Sequence, residues 1–270
     1  MFYHAKGGNV RVGNSDMDYI SFGSGSKILV MLPGLGDGLS TVKGKALILS
    51  MAYHMYAKKY TVYIFSRKNC LQEGYSTREM AKDQAEAMNA LGISKADVLG
   101  VSQGGMIAQY LAIDHPDLVG KLILAVTTSR PNEIMQEVID TWLQMALQGD
   151  YKNLMIDTAE NSYSQSYLNK YRFLYPLLGR IGKPKSFNRF LIQAASCVQH
   201  NAYAELDKIT CPTLIIGGAC DKIVGTTSAS ELSEKINGSK LFIYENLGHA
   251  SYEEAKDFND RCLDFLSENF

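Results

Sequence analysis

The sequence predicts an α/β protein with a mostly parallel central sheet flanked by helices and an inserted helical cap. Three observations carry this. Short apolar runs recur with helical stretches between them; two of those runs, residues 28–32 and 122–126, are wholly apolar, as strands buried on both faces are; and one long stretch, residues 130–206, breaks the rhythm.

The expected strands are residues 18–23, 28–32, 61–66, 97–101, 122–127, 213–217 and 241–245, and His4 is assigned to a further N-terminal strand. Between them, residues 45–58 read as helix. Residues 76–91 read as a second, because Ser76 and Glu79 have the spacing of a capping box ahead of Met80, Met88 and Leu91, with Gly92 as the stop. Residues 106–113 form a third, ended by the Asp114-His115-Pro116 turn, and residues 253–266 form the last. The 77 residues from 130 to 206 read as helices without a strand, too long for a connection. They contain the only tryptophan, Trp142, and several tyrosines, including Tyr151, Tyr163, Tyr167, Tyr171 and Tyr175. The division expected is a core of residues 1–129 and 207–270 with a cap of residues 130–206 in the same folding unit.

With 270 residues, 46% hydrophobic and 20% charged content and a net charge of −1, the chain has the composition of an ordinary globular protein that does not seek polyanions, so no nucleic acid partner is expected. Residues 1–12 contain no signal-peptide core and no segment reaches the ~20 apolar residues of a membrane span, so the protein is expected to be cytoplasmic, with no membrane partner. The five cysteines are odd in number and form no CxxC pair, which suits reduced thiols better than disulfides or a metal site. Oligomeric state is not legible, and a homo-oligomer stays open.

The chemistry centres on Gly100-Val101-Ser102-Gln103-Gly104, a GxSxG placed between a strand and a helix. By chance alone such a pattern turns up in roughly one chain in ten of this length, so its context matters more than its presence. In a turn this tight the serine takes a strained conformation, and side chains at Gly100 and Gly104 would strike neighbouring backbone. Ser102 then stands at a helix start, beside amides that can bind an anion.

A serine hydroxyl is a weak nucleophile without a base in hydrogen-bond reach and a group that orients that base. Of the five histidines, His249 alone follows a late strand through a short loop, Asn246-Leu247-Gly248, at the carboxyl edge of the sheet. Asp221, just past the strand of residues 213–217, is the expected acid; Glu133 is the nearest substitute. Two amide donors should meet the negative charge that attack creates: that of Gln103, and one from Leu32-Pro33-Gly34-Leu35-Gly36-Asp37, with Leu35 the favoured donor. The other reading of this loop is a plain tight turn.

Taken in the order Ser102, Asp221, His249, with successive members 119 and 28 positions apart, the set resembles the α/β-hydrolase superfamily, in particular its small capped bacterial members, over residues 19–266. The resemblance implies the α/β-hydrolase fold and a Gly-x-x-Asp loop at Asp221. It also implies a Gly-His segment followed by an acidic residue, matched by Gly248, His249 and Glu253. Family members often carry His-Gly-x-Gly where this chain has Pro33-Gly34-Leu35-Gly36, so the hydrogen bonds which that histidine makes to surrounding loops have no counterpart from Pro33. The expected activity is hydrolysis of a small, largely apolar ester, a small-molecule substrate, with no metal or organic cofactor required. A lactonase, lipase, amidase, thioesterase, C–C hydrolase or perhydrolase would use the same residues, and a non-catalytic binding protein is the rival of a different class.

Overall fold

The computed structural model describes residues 2–178 and 182–269; residues 179–181 of the expected cap fall outside them. Among the described residues eight strands form one sheet: β1 (Lys6–Val12), β2 (Ser15–Phe22), β3 (Lys27–Leu32), β4 (Tyr60–Lys68), β5 (Ala96–Val101), β6 (Val119–Ala125), β7 (Thr213–Gly218) and β8 (Lys240–Tyr244), in the order β1-β2-β4-β3-β5-β6-β7-β8. Only β2 runs against the others, pairing antiparallel with β1 and β4.

The helices are α1 (Ala46–Ala52), α2 (Thr77–Ala90), α3 (Gln103–Asp114), α4 (Glu133–Leu147), α5 (Tyr151–Ser162), α6 (Gln165–Tyr171), α7 (Tyr175–Leu178), α8 (Asn188–Gln199), α9 (Ser228–Lys235), α10 (Ser251–Glu254) and α11 (Phe258–Ser267). Side chains alternate across the parallel strands. Val30, Leu32, Val98, Leu124 and Ile215 pack in one core with α2, α3 and α9, while Leu29, Met31, Leu99, Ile123 and Ile216 pack on the other face with Phe258 and Phe265 of α11. A third core joins Met135, Trp142 and Leu154 of α4 and α5 to Phe190 of α8, and reaches down to Leu35 and Met106. No helix among the described residues is long and apolar enough to cross a membrane.

Several elements differ from expectation. His4 lies in a short 3-10 turn, Phe2–His4, and the first strand begins after it at Lys6. Residues 45–58 are not one helix: α1 stops at Ala52, Tyr53 leaves helical geometry (φ −110°, ψ 23°), and a 3-10 turn, His54–Tyr56, follows. The break lets Tyr56 bury completely and donate its hydroxyl to Asn259 Oδ1 at 3.0 Å. The third helix starts at Gln103, directly after Ser102, rather than at Met106. The expected last helix is two, α10 and α11, because Ala255 turns extended (φ −76°, ψ 118°) between them. α9 was not expected at all. In residues 130–206, α4 to α8 are the regular elements, with no strand among the described residues.

The chain fills the sheet outward from β3, first to β4 on one side and then across to β5 on the other. At such a switch the loops leaving two adjacent parallel strands diverge and open a crevice at their carboxyl ends. Here those loops are residues 33–37 after β3 and the turn at Ser102 after β5.

Candidate active site

Ser102 sits between β5 and α3 with φ 53° and ψ −119°, a left-handed backbone that costs a non-glycine residue of order 1–3 kcal/mol. Its N–H donates to Ala125 O at 2.9 Å and its carbonyl accepts from Thr127 Oγ1 at 2.7 Å, so the flanking strand holds the strain. A Cβ on Gly104 would lie 1.9 Å from Leu32 O, and one on Gly100 would lie 2.5 Å from Gly104 O. Glycine at both positions lets α3 start against the end of β3.

Ser102 Oγ lies 2.9 Å from His249 Nε2, and His249 Nδ1 lies 2.9 Å from Asp221 Oδ2. Asp221 Oδ1 accepts from the amides of Ile223 (2.8 Å) and Val224 (3.0 Å). Those two bonds fix the carboxylate, which is buried with only 3% of its surface exposed. An ionised carboxylate only accepts, so it selects the tautomer with the proton on Nδ1 and leaves Nε2 to accept from the serine hydroxyl. The His249 loop is pressed against the end of β7: a Cβ on Gly218 would lie 2.5 Å from Gly248 O and Leu247 O. From the helical segment, Ser162 O accepts the amide of Ala250 at 2.9 Å. Glu133, the substitute acid, opens α4 and is not part of this chain of bonds.

Gln103 is the first residue of α3, where an amide has no acceptor one turn earlier in the helix. Leu35 opens a 3-10 turn, Leu35–Gly38, and the preceding Gly34 lies so close to Ser102 that an added Cβ would stand 3.3 Å from the serine Cβ. The loop is not held by a histidine. Arg67 Nη2 donates to Pro33 O at 2.6 Å, Arg67 N donates to Asp37 Oδ2 at 3.1 Å, and Arg189 donates from Nη2 to Asp37 Oδ2 (2.8 Å) and from Nη1 to Asp37 O (2.6 Å). Arg67 is completely buried, and burial pulls its guanidinium down to about 10 against the opposing pull of Asp37, so it keeps its charge at neutral pH. Arg67, Asp37 and Arg189 carry no role in the sequence reading; the available signal was the basic pair Arg67-Lys68 closing the buried end of β4.

These groups face a cavity of about 570 Å³, with Ser102 and His249 in its wall beside apolar side chains such as Met31, Leu49, Ile64, Trp142 and Phe190. Its size and mostly apolar lining suit a small ligand. Asp37, already held by Arg67 and Arg189, lines it together with two further charged side chains, Lys45 and Glu253. Lys45 donates from Nζ to Ser40 O at 3.1 Å, and burial lowers its pKa, with Asp37 pulling the other way. Glu253 accepts from the hydroxyl of Tyr163.

Residues 27–256 match the sequence profile of the alpha/beta hydrolase fold. Two relatives carry the name 2-hydroxy-6-oxononadienedioate/2-hydroxy-6-oxononatrienedioate hydrolase. The one from Pseudomonas sp is 25% identical over 91% of this chain and 89% of its own. The one from Dechloromonas aromatica (strain RCB) is 28% identical over 96% and 94%. Among solved structures, MGS-M2, an alpha/beta hydrolase enzyme from a Medee basin deep-sea metagenome library, superposes with a TM-score of 0.83 at 21% identity, covering 97% of this chain and 98% of that one. With a profile match across most of its length, the chain belongs to the alpha/beta hydrolase fold family.

Proposed function

We propose that this chain is a serine hydrolase that cleaves a small, largely apolar carboxylic ester through an acyl-enzyme on Ser102, with residues 130–206 as a cap over the acyl pocket. The observation that carries the reading is the continuous set of hydrogen bonds from Ser102 Oγ through His249 to Asp221, at 2.9 Å and 2.9 Å, opening on an apolar cavity. Ser102 Oγ attacks the acyl carbon as its proton passes to His249 Nε2, and Asp221 stabilises the imidazolium that results. The amides of Gln103 and Leu35 receive the negative oxygen. The C–O bond to the alcohol breaks as His249 returns the proton to the leaving oxygen. Water then attacks the acyl-enzyme, again giving its proton to His249. Collapse releases the carboxylic acid and restores Ser102.

A second reading, hydrolysis of a C–C bond in an acidic keto compound, is favoured by Lys45. The named relatives are hydrolases of dioates, compounds with two carboxylates, and Lys45 offers an ammonium group in the cavity wall. A charge-assisted bond to a ligand carboxylate is worth about 1.5–3 kcal/mol, roughly 10- to 100-fold in kcat/KM.

Steady-state hydrolysis of p-nitrophenyl esters, with plain acyl chains and with chains ending in a carboxylate, tests the ester reading and the preference for an acidic substrate. The ester reading expects turnover of the plain series and a loss of at least ~10⁴-fold in Ser102→Ala. A Ser102→Ala variant as active as its parent contradicts it. A tenfold or greater preference for the carboxylated chains, removed by Lys45→Met, favours the acidic substrate instead.

A further inference from the structure

Both amides assigned to the oxyanion lie on segments gripped by the same helix of the cap. Arg189, at the start of α8, holds the Leu35 loop through its two bonds to Asp37, at 2.8 Å and 2.6 Å. One turn on, Gln193 O accepts the side-chain amide of Gln103 at 2.8 Å, and Ser196 Oγ accepts it at 3.2 Å. Positions 189, 193 and 196 follow one another at intervals of four and three, so they share a single face of α8. Backbone contact reinforces the grip: a Cβ on Gly38 would lie 2.7 Å from Phe190 Cα, so the loop and the helix touch without a side chain between them. Leu35 and Phe190 belong to one apolar core.

The geometry points to α8 as the element that sets the oxyanion site, with Arg189 and the Gln103 side chain as positioning residues, so that the seating of the cap and the stabilisation of the transition state are one event. This rests on the reading of Ser102 as nucleophile. Neither Arg189 nor the Gln103 side chain need touch the substrate. Arg189 aligns the Leu35 amide, and the Gln103 side chain ties the start of α3 to the same helix. An oxyanion site works because its donors are in place before charge develops, so loosening either arm should penalise the transition state and leave ground-state binding alone.

The test is to measure kcat and KM for p-nitrophenyl acetate, and the inhibition constant of an alkyl trifluoromethyl ketone whose serine adduct carries the same negative oxygen. Deleting a donor outright costs roughly 10²–10³-fold, so a displaced one in Arg189→Met should lower kcat by about 10- to 100-fold. KM should stay within about twofold, and the ketone should weaken by the factor lost in kcat/KM. Arg189→Lys, which keeps the charge but loses the two-pronged fork, should recover part of the loss. Gln103→Leu keeps the backbone amide while removing the second arm, and should show the same signature even if Arg189→Met fails to fold. Unchanged kcat and unchanged ketone affinity in folded variants would overturn the proposal, as would a rise in KM alone. If the wild-type protein neither turns over the ester nor is labelled by a fluorophosphonate, the nucleophile reading fails first and takes this one with it.

Discussion

His200 shows how a single buried side chain ties stability to pH. It has 1% of its surface exposed, sits 2.9 Å from Thr77 Oγ1 through Nδ1, and meets the ring of Tyr110 edge-on at 5.2 Å. Burial penalises the imidazolium and pushes the pKa of His200 down to about 3. The native state therefore holds a neutral ring where the unfolded chain, with an ordinary value near ~6.5, takes up a proton. The unfolded state binds more protons between these two values. Stability should fall as pH drops from about 6.5 towards about 3, by at most about 1.4 kcal/mol per pH unit from this group. Urea unfolding midpoints between pH 7 and pH 4 should show that slope reduced in His200→Gln; an equal slope in both proteins would contradict it. None of this was legible beforehand, because a histidine in a helical stretch carries no mark of its burial. Asp221 was more legible, because it lies just past a buried strand and falls between Ser102 and His249 in the chain order of a triad.

At the level of elements, legibility followed the strength of local signals. The capping box on α2 formed as its spacing suggests: Ser76 Oγ accepts from Glu79 N at 3.2 Å, and Glu79 Oε2 accepts from Ser76 N at 2.8 Å. Replacing Ser76 by alanine should lower stability by about 1 kcal/mol, read as a lower urea midpoint at unchanged slope and unchanged activity. A shift within about 0.3 kcal/mol of zero would show that the cap does not hold the helix. The buried strands were equally plain, because an apolar run such as residues 28–32 has few other uses. The failures lie where tertiary contacts outweigh local preference. β1 contains Gly7, Gly8 and Asn9, poor strand formers, and exists by pairing with β2 along its whole length. The stop of α1 at Ala52 answers to the burial of Tyr56, a contact 203 residues away in sequence.

Across the whole molecule, the strand order brings distant segments to one place. Because β3 lies between β4 and β5, the loop at Leu35 abuts the turn at Ser102. β7 and β8 then carry Asp221 and His249 past the same edge. That convergence was legible from the order of motifs along the chain. The Arg67–Asp37–Arg189 cluster was not, since its members come from β4, the loop after β3 and α8, and only the fold joins them. With proline at position 33, which has no side-chain donor, these two arginines brace the loop after β3 instead. The proposed nucleophilicity of Ser102 rests on this convergence. Its most direct test is the rate of labelling by a fluorophosphonate, with the modified residue mapped by peptide mass spectrometry. One adduct is expected, on Ser102, with none in Ser102→Ala and labelling slower by at least ~10³-fold in His249→Ala. An adduct elsewhere, or a folded His249→Ala protein labelled at the parental rate, would contradict it.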